Sequence, residues 1–96
     1  MAMLNVQPNQ LRALAGEYRQ EADDLRGRVV RLHRQVDPLL SDWVGSTSSS
    51  FRNVAERIDA RQYELIHDLE QMADNLDRAA DAFESQDRNI SSAFDV

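Results

Sequence analysis

Apolar residues recur along the chain with a seven-residue period, in two separate blocks. In the first, Ala15, Ala22, Val29, Val36 and Trp43 form one series, and Leu11, Tyr18, Leu25, Leu32 and Leu39 form a second. Alternating steps of three and four put all ten on one seam of an α-helix, as the a and d positions of a heptad. The second block repeats the device with Ala55, Gln62, Leu69, Leu76, Phe83 and Ile90, and with Phe51, Ile58, Leu65, Met72, Ala79, Gln86 and Ala93. The pattern predicts helix one from about residue 8 to residue 42, a turn over about 43–46, and helix two from about 47 towards 90. Pro8 suits a first turn, because its missing N–H would have no partner there. Pro38 removes a backbone bond and clashes one turn back, which predicts a kink and not a stop, since the seam continues to Trp43. The cluster Ser46 to Ser50 offers hydroxyls to cap the start of helix two.

Two long helices joined by so short a connection lie antiparallel. Pairing the seams about the turn sets Leu39 near Phe51, Leu25 near Leu65 and Leu11 near Ala79, with helix two overhanging beyond about Phe83. The apolar stripe is wider than a two-helix seam needs, because Ile66, Ala73 and Ala80 add a third column, and Leu14 and Leu40 flank helix one. A two-helix hairpin has nowhere to bury a third column, whereas a four-helix bundle does. The expectation is an all-α antiparallel hairpin that dimerises, with Leu25, Val29, Leu32, Leu65, Ile66, Leu69, Met72 and Leu76 as dimer and core residues. The alternative is a lone hairpin with an apolar side.

Composition narrows the class. Ninety-six residues make one domain, and a chain so short gains much of its stability from a partner. Three glycines and two prolines suit long helices, and the lack of cysteine excludes disulfides and thiol chemistry. The net charge of −6 is concentrated after residue 48, where five arginines face eleven acids. Nucleic acid, which needs a basic stripe, is therefore not an expected partner. The start, Met1 to Pro8, has no basic region followed by an apolar one, so no N-terminal secretory signal is expected. Glu64 and His67 have the Glu-x-x-His spacing of di-iron helical proteins, but both fall on outward heptad positions, so neither a metal site nor a bound cofactor is expected. His33 lies beside the seam, and no catalytic set of residues is visible. Gln62 is a polar residue on an apolar seam, a device that fixes register in coiled coils, while Gln86 falls in the overhang.

The turn reads Trp43-Val44-Gly45, with Phe51 six residues after the glycine, at the midpoint of the chain. This arrangement resembles the Trp-x-Gly family of small type VII (ESX) secretion substrates of Gram-positive bacteria. The resemblance covers the whole chain and implies a helical hairpin that pairs with itself or with a paralogue into a four-helix bundle. It implies export in the folded state, through recognition of the C-terminus by a membrane ATPase, and a binding function with no enzymatic activity. The family's C-terminal pattern spaces a hydrophobic residue, an acid and two further hydrophobic residues by four, three and four. Here Phe83, Asp87, Ile90 and Phe94 match it, on an expected flexible tail over about 84–96. Phe83 stands where the family has tyrosine, one hydroxyl short. A non-exported cytoplasmic helical adaptor is the competing reading, and a ferritin-like metal protein a third.

Overall fold

The computed structural model describes residues 6–94, with side chains over residues 6–86 apart from Ser46. Two helices account for the described residues except the turn and the two residues before Pro8: α1, Pro8–Asp42, and α2, Ser46–Phe94. They form an antiparallel hairpin, a rod of 78 × 20 × 17 Å. At the start of α1 the Gln10 side chain accepts the Gln7 N–H at 3.0 Å, satisfying one free donor. Helix α1 runs through Pro38 to Asp42, and the Ser41 hydroxyl donates to the Pro38 carbonyl.

Gly45 makes the reversal, with φ of 123°, a region that costs a side-chain-bearing residue steric energy. Its carbonyl accepts the first N–H groups of α2, from Ser48 and Ser49. Buried Ser48 turns its Oγ back to donate to the Gly45 carbonyl at 2.6 Å.

The interior differs from the one the a and d seams predict. Ala15, Ala22 and Val29 of α1 are buried against Ile66, Ala73 and Ala80 of α2, the column expected to need a second hairpin. Leu25 and Leu69 pack on the cluster of Ala22, Val29 and Ile66, and Leu76 is half-buried. The d residues Phe51, Ile58, Leu65 and Met72 of α2 stay exposed, as do Leu32 and Leu39 of α1. Side-chain size explains the exchange. Alanines let two helices approach closely, so the small column faces inward and the bulky one is left outside.

The register is also displaced by about one turn from seam pairing. Arg12 bonds Asp81 and Glu84, Arg19 bonds Asp74 and Asp77, and Arg26 bonds Glu70, all at 2.7–3.0 Å. Pro8 lies one turn before Arg12, so α2 outruns α1 from about one turn past Glu84, later than the Phe83 boundary predicted. The segment expected as a flexible tail from residue 84 is a continuation of α2 to Phe94. No glycine or proline follows Gly45 to stop it.

Candidate interaction surfaces

Three features stand out on the rod: the turn, an apolar flank and the projecting end of α2. At the turn, Trp43 and Phe51 pack with ring centroids 5.3 Å apart and planes tilted by 47°, a favourable aromatic geometry. Arg52 donates to the Leu40 carbonyl, one of the four that a helix end leaves without a donor. The tip is open all the same, with Trp43 37% and Val44 89% exposed. Because Trp43 is only partly covered, Trp43→Ala should cost about 1–2 kcal/mol, less than the ~3–5 of a fully buried tryptophan. Urea unfolding followed by circular dichroism measures it.

The two flanks of the rod have opposite character. One carries the ladder of Arg12, Arg19 and Arg26 with its acids. Exposed pairs of this kind contribute little energy singly, but their seven-residue repeat favours one register. The signal was present in the sequence as Arg12, Arg19, Arg26 and His33 against Glu70, Asp77 and Glu84, and the apolar pattern alone hid it. The fourth rung is titratable. His33 Nε2 lies 2.8 Å from Asp59 Oδ2, although the N–H is not aligned on the oxygen. The Asp59 carboxylate, together with the charge of Asp37 and against a smaller desolvation effect, raises the imidazole pKa above its ordinary 6.5. A raised folded pKa adds stability that is complete below about 6.5 and is lost as pH rises through the folded value. The difference in melting temperature between the native chain and His33→Gln should therefore shrink from pH 5.5 to pH 8.5. An unchanged difference would contradict the pairing.

The opposite flank holds the exposed d columns of both helices. Towards the turn a groove of about 410 Å³ opens between the helices, lined by apolar Leu32, Val36, Phe51 and Ile58, by Gln62, and by the His33–Asp59 rung of the charged ladder. Of the projecting end, α2 carries Phe83 half-buried at the last stretch beside α1. The backbone stays helical through Asp87, Ile90 and Phe94, whose side chains lie outside the described residues. Glu64 and His67 are exposed, and among the described residues no group of three metal-ligating side chains occurs. No described helix is long and apolar enough to cross a membrane.

The family model described as proteins of 100 residues with WXG matches residues 3–88. The chain belongs to the WXG100 family. Among WXG100-like relatives, protein YukE of Bacillus subtilis is 31% identical over 88 residues, covering 92% of this chain and 91% of that one. The type VII secretion system extracellular protein A of Staphylococcus aureus is 28% identical over 94 residues, covering 98% and 97%. The secreted protein EsxB of Bacillus anthracis superposes with a TM-score of 0.79 at 28% identity, over 86% and 89% of the two chains. EsxA of Geobacillus thermodenitrificans shares the fold, with a TM-score of 0.77 over 94% and 97%. The WXG100 hairpin, its central motif and its likeness to secreted type VII proteins thus agree with the architecture described above.

Proposed function

We propose that this WXG100 protein is a substrate or co-substrate of type VII secretion, which leaves the cell folded, paired with a second hairpin, and directed by the end of α2. Before export it resides in the cytoplasm, and it acts by binding, with no catalysis and no cofactor. The single observation that carries the reading is the projecting end of α2. Phe83, Asp87, Ile90 and Phe94 follow i, i+4, i+7 and i+11 spacing on one continuous helix, which sets all four on one helical face. A helix that outruns its neighbour can present that face to an apolar groove of the secretion ATPase. Phe83 would add packing at the root of the signal, while Trp43, Gly45 and Phe51 shape the other end of the rod.

The exposed d columns support the paired state. Leu32 and Leu39 of α1 and Phe51, Ile58, Leu65 and Met72 of α2 remain exposed, and large apolar side chains aligned along a small rod suit a partner surface. Truncation after Ala82 tests the export reading: the shortened chain should accumulate in the cells as a folded helical protein and be absent from the medium. Normal export of the shortened chain would remove the α2 end from the mechanism.

A further inference from the structure

The inner column of α2 changes character on the way to the turn. Ala80, Ala73 and Ile66 are buried, but the next positions at the same seven-residue step are Asp59 and Arg52. Turnward of Val29 and Ile66, Ser48 is the one buried residue among the described side chains. Where a core would continue, the groove opens, its apolar walls broken by His33, Asp37, Arg52, Glu56, Asp59 and Gln62. Two polar links cross between the helices there, His33 to Asp59 and Arg52 to the Leu40 carbonyl, and the Trp43–Phe51 contact closes the tip. Gln62 Oε1 is buried without a hydrogen-bond partner among the described residues, a cost that contact with water relieves. Pro38 weakens α1 at the same level, because it leaves the Arg34 carbonyl without its helical N–H donor.

We propose that the turn end of the rod, from Arg34 to Asp59, opens and closes as a unit separate from the Ala22, Val29 and Ile66 core, and that protonation of His33 holds it closed. Opening rewets Gln62 and parts His33 from Asp59 while the buried column from Ala15 to Val29 stays packed, so it costs less free energy than unfolding the chain. Histidine is the side chain whose charge changes between about pH 5 and 8. The imidazole meets Asp59 on α2, with Asp37 one turn further along α1, and Arg52 and Glu56 complete the charges of the groove wall. Asp59 first, and Asp37 after it, favour the charged ring. As a cation, His33 is drawn to Asp59 across the gap, and as a neutral ring it loses that attraction. The closed form is therefore strengthened fully below about pH 6.5 and weakened as pH rises through the raised folded value. His67, the chain's other histidine, is exposed and lies outside the groove. The moving unit carries the Trp43–Phe51 pair, so one protonation sets how rigidly the turn motif is presented. This property of the fold is independent of export.

Native-state hydrogen exchange of the full chain, read as amide protection factors, tests this. Protection over residues 34–42 and 50–59 should be lower than over 22–29 and 66–73 by about tenfold or more. Low urea should speed exchange of the second pair of segments and leave the first almost unchanged, because a local opening exposes little surface. Between pH 5.5 and pH 8.5 the turn-end protection should fall by up to about fivefold, the range of a partly exposed ion pair. That fall should vanish in His33→Gln and in Asp59→Asn, and persist in His67→Gln. Gln62→Leu should raise turn-end protection several-fold at both pH values, since it removes the unpaired acceptor. Equal protection and equal urea response in all four segments would mean that the hairpin opens only as a whole, which overturns the proposal. A fall with pH that survives in His33→Gln overturns the role of the histidine.

Discussion

Ile66→Asp is expected to unfold the chain, whereas Leu65→Asp, one residue away, is expected to leave the hairpin folded and separate it from its partner. Ile66 is 3% exposed and packs with Ala22 and Val29, while Leu65 is 50% exposed on the outer flank. A carboxylate at position 66 combines a lost aliphatic side chain, a cavity and a buried charge without a partner. Even the milder Ile66→Ala should cost about 2–5 kcal/mol, and the charged form more. Small domains have only about 5–15 kcal/mol in total, so little helical signal should survive Ile66→Asp at room temperature. At position 65 the carboxylate reaches water in the single hairpin, and the penalty falls on association. Circular dichroism and sedimentation on the two variants separate the cases. If both unfold, the outer flank is part of the hairpin's own core, and if neither does, the packing described for Ile66 is wrong.

The second large effect concerns export with folding held constant. Replacing Ile90 and Phe94 together by Ser should abolish export and shift the melting temperature by no more than a degree or two. Both belong to the stretch of α2 past the acids that pair with Arg12, which the proposed function assigns to recognition and not to the hairpin's own packing. Asp87→Ala should act in the same way, and Phe83→Tyr should preserve or improve export. Phe83→Ala should impair both properties, because Phe83 is half-buried beside α1. A loss of several kcal/mol in the Ile90/Phe94 variant would mean that these side chains belong to the core of the pair and not to a signal.

Much of this architecture was legible in the chain itself. A seven-residue apolar repeat broken once by a glycine leaves few arrangements other than a hairpin, and Gly45 has the positive φ that a reversal requires. What the repeat could not decide was which apolar column faces the neighbouring helix. Hydrophobicity ranks Leu65 and Ile66 as equals, and a and d positions attract attention because they form the seam of coiled coils. The deciding property was size: Ala15 and Ala22 opposite Ala73 and Ala80 allow a close approach that Leu and Met columns prevent. The register escaped for a related reason, since it follows where Arg12, Arg19 and Arg26 find acids, and the apolar repeat carries no information on those pairs. Of the candidate sites, the turn pair Trp43 and Phe51 was visible as a motif. The groove around Gln62 was not, because it exists only once two helices are placed side by side.

The central claim is that this chain is handed to a type VII secretion ATPase by the end of α2. It is tested most directly by measuring the chain in cell-free culture medium of the same bacterium with and without that ATPase. The account predicts that the protein is in the medium of the intact strain, and that in the ATPase-deficient strain it is wholly retained in the cells, folded and paired. Equal amounts in the two media, or retention in both, would contradict it.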